Sequence, residues 1–216
     1  MYRSIGLWPG ALLLAVLALG CEHKSQDRTS QQPAAPPDPV AVLHDLRRCH
    51  QARQYREMEG LVVEDRCDEL IDALMGVDQL LAANRRLKEL VEERIGAEAA
   101  PWWDLSLIEN GLGPFSRDVD VVTVEVDESH ASLAIQVTKR VPLLEVAFVR
   151  DPPGPWRYLP DPPIPGMAEQ LRELARNLDS LAEQLTDSAM TPEQFDRGFR
   201  RQVLPLLQSL GRMADE

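Results

Sequence analysis

The sequence predicts an α+β protein, in which N-terminal helices pack on a three- to four-stranded antiparallel meander that is followed by two C-terminal helices. Between residues 119 and 160 the chain has short apolar runs separated by polar turns, which is the pattern of consecutive strands. On either side of this stretch, apolar residues recur every three or four positions, which is the pattern of amphipathic helices. With 44% hydrophobic and 27% charged residues, the composition is that of a globular protein.

The predicted strands cover residues 119–126, 131–137, 143–149 and 156–159. In the first strand Val122, Val124 and Val126 alternate with polar residues, so we expect these valines on a buried face. The third strand is apolar on both faces, which indicates that it is covered more fully than the others.

Two helices are predicted before the sheet. Asp38 and Pro39 are an N-cap and a first-turn proline, and we expect the helix that follows to end at Gly60. The second helical pattern ends at Gly96, and Gly76 lies inside it at a point where the helix could break or bend.

Cys49 and Cys67 lie on the apolar stripes of these two helices. In the oxidising environment of an exported protein, a disulfide between them would contribute on the order of 3 kcal/mol. Two buried free thiols are the alternative, because an inter-helix disulfide needs closely spaced Cα atoms. His44 and His50 flank Cys49, but their separation puts the two imidazoles on nearly opposite helix faces, so we expect no metal site.

Trp102 and Trp103 lie in the connector between the helices and the sheet. Such tryptophans usually pack on a core; the alternative is that they form a pocket wall, for which Tyr55 is a further candidate. Gly111 and Gly113 do not form a dinucleotide-binding fingerprint, because the third glycine is absent and a strand follows. We therefore expect no cofactor.

Two helices are predicted after the sheet. Residues 167–185 carry an apolar stripe at steps of four and three. We expect this stripe to pack on the protein's own sheet or last helix, and the alternative is a coiled-coil surface for a protein partner. Thr191 has capping-box spacing at the start of the last helix, and Pro205 should kink or divide that helix.

The first twenty residues have the parts of a secretory signal peptide. Arg3 gives a short positive segment, an unbroken apolar run follows, and small residues precede Cys21. The sequence LALGC at residues 17–21 resembles the lipobox of bacterial lipoproteins. That resemblance implies cleavage before Cys21, acylation of this cysteine, and attachment of the mature chain to a membrane of the cell envelope.

Residues 21–37 are polar and then rich in proline and alanine, so we expect a flexible tether. The chain would then divide into a signal peptide (1–20), a lipid-anchored tether (21–37), a helix-plus-sheet domain (38–160) and a C-terminal helical hairpin packed on that domain (161–216). In the lipoprotein family an aspartate after the cysteine favours the inner membrane, so Glu22 favours the outer membrane. The net charge of −12 makes nucleic acid an unfavourable partner.

The order of helices and meander, whose last hairpin reads VRDPPGPWRY at residues 149–158, resembles the NTF2-like/cystatin-like superfamily over residues 38–160. The resemblance implies a small ligand held between a curved sheet and the helices. Members that are isomerases or dehydratases use a pocket tyrosine or histidine together with an aspartate. Tyr55, Asp104 and His130 have these residue types, but no motif places them together, so no catalytic residue is assigned.

The sequence as a whole favours a lipid-anchored cell-envelope protein that is a non-enzymatic accessory or binding module. The first alternative is an NTF2-like pocket protein that binds or transforms a small molecule, as isomerases and lyases do. The second alternative is a scaffold that binds a protein partner through residues 167–185.

Overall fold

The computed structural model describes residues 38–96, 112–137 and 142–215, and it has the predicted α+β fold. The signal peptide, Cys21 and the tether lie outside the described residues, as do Trp102, Trp103 and Asp104. In chain order the elements are α1 (Pro39–Gln51), α2 (Tyr55–Met58), α3 (Glu64–Arg94), a 3-10 turn (Gly113–Phe115), β1 (Asp120–Val126), β2 (His130–Gln136), β3 (Leu144–Val149), β4 (Arg157–Leu159), α4 (Met167–Asp187), α5 (Pro192–Gln202) and α6 (Leu204–Asp215).

The four strands form an antiparallel meander in the order β1-β2-β3-β4, as the sequence predicts. The inner face of the sheet is apolar across the strands, because Leu133 pairs with Val146 and Phe148 pairs with Tyr158. These four side chains are buried. A parallel bridge between Val62 and Tyr158 continues the sheet beyond β4, so β1 is the edge strand on the other side.

The prediction of a buried valine face on the first strand is wrong. Val122, Val124 and Val126 are 50%, 45% and 53% exposed. A bulge between Val121 and Thr123 shifts the register of β1 against β2, and the strand lies at the margin of the sheet. Alternation of apolar and polar residues indicates which side chains share a face of the strand. It does not indicate which strand will lie at the edge of the sheet, where a neighbouring strand is present on one side only.

The N-terminal helices differ from the prediction at two glycines. α1 ends well before Gly60, because Arg53 adopts a left-handed backbone (φ 57°) and the short α2 follows. α3 continues through Gly76 without interruption. Gly76 instead allows α4 to approach closely, since a Cβ at this position would lie 3.2 Å from the Ala168 carbonyl oxygen and 3.2 Å from the Leu171 Cβ.

α3 belongs to two hydrophobic clusters. Its N-terminal half packs with α1, α2 and the sheet, where Leu46, Leu133 and Phe148 are fully buried. Its C-terminal half packs with α4, α5 and α6, where Leu174 and Phe199 are fully buried. One long helix therefore contributes to the cores of both the helix–sheet layer and the C-terminal helices.

The apolar stripe of α4 packs against α3 and α5 rather than against the sheet. Five of its leucines are buried: Leu171, Leu174, Leu178, Leu181 and Leu185. The stripe is thus part of the core and not an exposed seam.

Two helix starts and the break in the last helix follow the sequence signals closely. Asp38 caps α1, and its Oδ1 accepts a hydrogen bond from the Ala41 N–H at 2.7 Å. Thr191 and Gln194 form the predicted capping box at the start of α5. The chain divides the last helix into α5 and α6 directly before Pro205, as predicted from the missing N–H of proline.

Candidate functional site

The end of α1 forms a cleft with α3 and with the segment around the 3-10 turn. The cleft has a volume of about 370 Å³. Ionisable side chains and apolar side chains share its wall, a combination that is typical of small-ligand sites. The lining residues are His50, Gln51, Arg53, Asp78, Leu81, Leu112, Phe115 and Arg117.

Asp78 is the centre of a polar cluster in this cleft. Its Oδ2 accepts a hydrogen bond from the Tyr55 hydroxyl and lies 3.6 Å from the Arg53 Nε. Its Oδ1 lies 3.7 Å from the His50 Nε2. The Asp78 side chain is only 20% exposed, so these neighbours replace most of the water around the carboxylate. Burial, the hydrogen bond to Asp78 and the charge of Asp78 raise the pKa of Tyr55 well above its ordinary value.

His50 is a buried polar group in the wall of this cleft. The residue is 7% exposed, and neither ring nitrogen has a hydrogen-bond partner within the described ranges. The Phe115 ring packs edge-on against the imidazole at a centroid distance of 5.4 Å. Burial lowers the pKa of His50, and the nearby Asp78 carboxylate opposes that shift. An unsatisfied buried polar group costs about 1–3 kcal/mol, which marks His50 as a candidate functional residue.

The end of α1 puts Arg53 in a position that usually belongs to glycine. The Gln54 N–H donates to the Cys49 carbonyl at 2.8 Å, and the Arg53 N–H donates to the His50 carbonyl at 2.9 Å, which is the Schellman pattern. The left-handed backbone of this pattern costs about 1–2 kcal/mol for a residue with a Cβ. Because glycine would avoid that cost, the arginine indicates a role for its side chain in the cleft.

Arg47 ties α1 to the opposite wall of the cleft. Its guanidinium donates to the carbonyl oxygens of Ser116 at 3.2 Å and of Arg117 at 2.9 Å. Ser116 is completely buried, so the backbone next to Arg117 is held in place. The Arg117 guanidinium itself has no ion-pair or hydrogen-bond partner among the residues that the structure describes, and it forms part of the cleft wall.

The structure brings only part of the predicted site together. Of the three predicted pocket-wall residues, Tyr55 lies beside this cleft through Asp78, whereas Trp102 and Trp103 lie outside the described residues. Sequence reasoning missed Arg53, Asp78 and Arg117 as site residues, and it considered His50 only as a metal ligand. For Asp78 a signal was present, because an aspartate adjoining the apolar stripe of a helix needs a partner when it is buried.

Cys49 and Cys67 are free thiols, and both are buried. Of the two alternatives that the sequence left open, the structure has the buried thiols and not the disulfide. The Cys49 Sγ lies 4.0 Å from a carboxylate oxygen of Glu57, and burial raises the pKa of both cysteines. Such cysteines are held as unreactive thiols.

The turn between β1 and β2 brings Ser129, His130 and Asp127 together, but it does not form a catalytic triad. The Asp127 Oδ1 accepts hydrogen bonds from the backbone N–H groups of Ser129 at 2.9 Å and His130 at 2.7 Å, as in an Asx turn. The Ser129 hydroxyl and the Asp127 carboxylate both approach the His130 Nδ1, at 2.8 and 3.9 Å. In a triad the nucleophile and the carboxylate contact opposite ring nitrogens.

Four other concavities in the described residues are larger than this cleft, at about 740, 470, 400 and 390 Å³. In the concavity of about 470 Å³, between α3 and the start of α4, ionisable side chains pair with one another, and Arg172 lies 2.9 Å from Asp72. The concavity of about 740 Å³ is a shallow surface along α5. His44 is exposed whereas His50 is buried, as their helical separation predicts. In the described part of the chain no group of three or more His, Cys, Asp or Glu side chains could hold a metal ion.

This chain matches no family model, no curated protein and no solved structure with which it was compared. Within residues 38–96, 112–137 and 142–215, no helix is long and apolar enough to cross a membrane. The residues of the His50–Asp78 cleft are therefore the basis for any functional conclusion about the body of the protein.

Proposed function

We propose that this chain is a lipid-anchored cell-envelope protein, located in the outer membrane, whose α+β body is a non-enzymatic binding module for a small ligand. The observation that carries the binding proposal is His50, a buried imidazole without a hydrogen-bond partner among the described residues, in the wall of a cleft of about 370 Å³. The anchoring proposal rests on the signal-peptide pattern and on the lipobox-like sequence that ends at Cys21.

The chemistry of the cleft favours binding over catalysis. A general acid or base must lie within hydrogen-bond reach of its substrate. The Tyr55 hydroxyl already donates to Asp78, so it is not available to donate to a substrate. The raised pKa of Tyr55 also makes this side chain a weaker acid than an ordinary tyrosine.

An NTF2-like isomerase or lyase is the second candidate, because Tyr55 and His50 both approach the same carboxylate, that of Asp78. If the cleft transformed its ligand, Tyr55→Phe would abolish turnover and leave ligand binding nearly unchanged. We do not propose a scaffold role for residues 167–185, because the leucines of that stripe are buried within the chain.

A fragment set with neutral, cationic and anionic members, observed by ligand NMR, tests the binding proposal. Gln51→Trp adds a large ring at the cleft wall from an exposed position, and Gln208→Trp adds the same ring at an exposed position of α6. We expect fragments that bind the unmodified chain to lose binding to the Gln51→Trp variant and to keep it with the Gln208→Trp variant. Equal binding to both variants, or no bound fragment, would contradict a ligand site in this cleft.

Cell fractionation of a Cys21→Ser variant tests the anchoring proposal. A serine hydroxyl cannot take the place of the thiol that is acylated, so the variant should appear in a soluble fraction. The unmodified chain should sediment with outer-membrane vesicles. A Cys21→Ser variant that still sediments with membranes would show that the lipid is not the anchor.

A further inference from the structure

We infer that the ligand of the His50–Asp78 cleft is a small organic anion, in which a carboxylate is attached to an apolar or aromatic body. The inference rests on the proposed binding function and adds the chemical class of the ligand. It follows from the placement of two guanidinium groups, those of Arg53 and Arg117, in one wall with the apolar side chains of Leu112 and Phe115.

The cleft is a locally positive place in an acidic chain. The whole protein carries a net charge of −12, whereas the cleft wall has the guanidinium groups of Arg53 and Arg117 and a single carboxylate, that of Asp78. Asp78 already has the Tyr55 hydroxyl as a hydrogen-bond donor and the Arg53 Nε nearby. An incoming anion would therefore meet a net positive charge, that of two guanidinium groups against one carboxylate, and an incoming cation would be repelled.

Both arginines line the same cleft, and the fold holds the backbone of each in place. The Schellman end of α1 fixes the backbone of Arg53, and the hydrogen bonds from Arg47 fix the backbone of Arg117. A guanidinium is planar and can donate two parallel hydrogen bonds to a carboxylate, which suits it to anion recognition better than a lysine ammonium. The conformational free energy that the left-handed backbone of Arg53 costs is explained if the Arg53 guanidinium binds the ligand.

The rest of the wall suits an apolar body of limited size. Leu81, Leu112 and Phe115 form its apolar part. The volume of about 370 Å³ is near the lower end of the range of ligand sites, roughly 300–1,000 Å³, so the ligand is small. Inorganic phosphate would satisfy the guanidinium groups but would leave the apolar part without a partner.

The NMR signals of the His50 ring can be used to detect an anion in the cleft. The bound negative charge would favour the protonated imidazole, and it would raise the pKa of His50 from its lowered value. A neutral ligand of the same shape would not have this effect. The sequence contains only four histidines, so the His50 ring signals can be assigned by substitution.

The inference is tested with three probes that share one aromatic ring and differ in charge: benzoate, benzyl alcohol and benzylamine. Their binding to the full chain with Cys21→Ser is measured by NMR. We expect benzoate to shift the His50 ring signals and to bind about tenfold or more tightly than benzyl alcohol, while benzylamine does not bind. Arg53→Gln and Arg117→Gln should each weaken benzoate binding about tenfold, the loss of one charge-assisted hydrogen bond. The matched control is Arg201→Gln on the exposed surface of α5, which should change binding less than about twofold.

Each other outcome would overturn the inference in a distinguishable way. Equal binding of benzyl alcohol or benzylamine would refute the anion class and leave small-ligand binding intact. Equal binding of inorganic phosphate would refute the apolar body. An equal loss with Arg201→Gln would show that net charge, and not this cleft, attracts benzoate. If benzoate does not shift the His50 signals, the anion inference is wrong, and the broader fragment set then decides separately whether the cleft binds any small ligand.

Discussion

Tyr55→Phe removes the hydroxyl that donates to Asp78 and leaves the aromatic ring in place. Hydrogen bonds to charged groups contribute about 1.5–3 kcal/mol. The Asp78 side chain is 20% exposed, so water can replace part of the lost donor. We therefore expect the free energy of unfolding to fall by about 1–2 kcal/mol, measured by urea denaturation at neutral pH.

Tyr158→Phe is the matched control for this substitution. Tyr158 is 8% exposed, and burial is the main cause of its raised pKa, with no hydrogen bond contributing to that shift. Removing that hydroxyl should change the free energy of unfolding by less than about 0.5 kcal/mol. The contrast between the two tyrosines separates the loss of the Tyr55–Asp78 hydrogen bond from the loss of a tyrosine hydroxyl as such.

A double-mutant cycle with Asp78→Ala decides whether the Tyr55–Asp78 contact is responsible. We expect a coupling energy of about 1 kcal/mol or more, because either single substitution already removes the same hydrogen bond. If the two effects add within about 0.5 kcal/mol, or if Tyr55→Phe costs no more than Tyr158→Phe, the polar cluster is not a stabilising unit and the reasoning about the site is wrong.

Three further substitutions test other parts of the structure. Gly76→Ala should lower the free energy of unfolding, measured in urea, by about 1 kcal/mol, because the added Cβ would lie 3.2 Å from backbone of α4 and this overpacking outweighs the gain in helix propensity. In the control, Gly198→Ala, the added Cβ meets only the end of a leucine side chain, so that variant should be neutral or stabilising. Equal effects of the two substitutions would contradict this reasoning. Because burial lowers the pKa of His50, the unfolded state binds more protons, so the stabilising contribution is present above the ordinary value of 6.5 and is lost as the pH falls toward the lowered pKa. His50→Gln should therefore flatten the slope of unfolding free energy against pH below 6.5, and an unchanged slope would count against the buried imidazole. Arg53→Gly should relieve the left-handed backbone and raise the free energy of unfolding by up to about 1 kcal/mol while weakening benzoate binding; a less stable variant would mean that Arg53 is there for its native contacts.

Most of the fold could be predicted because its signals are local. The caps at Asp38 and Thr191 depend on residues three positions away, and strand alternation depends on the next residue along the chain. The errors occurred where a distant element decides the outcome. From the sequence alone Gly76 is predicted to break a helix, but in the structure it lies where α4 packs closely against α3. The valines of β1 are predicted to be core residues, but the strand lies at the edge of the sheet.

The candidate site was harder to predict, because its polar partners come from separate elements. Tyr55 could be named as a pocket residue from its type, but its partner Asp78 lies on α3, and the approach depends on the sharp end of α1. The Arg117 side chain reaches the cleft because Arg47 holds the 3-10 segment against α1. Neither contact has a sequence spacing that repeats or that matches a motif.

Arg53 is the residue at which the fold and the candidate site depend on each other. Its left-handed backbone ends α1 and lets a separate helix begin at Tyr55, whose hydroxyl donates to Asp78. Its side chain lines the same cleft that contains the buried His50. A glycine would form the same turn at lower cost, so the backbone alone does not account for the arginine. A charged side chain at this position is accounted for by its approach to the Asp78 carboxylate at 3.6 Å and by the anion that we propose for the cleft.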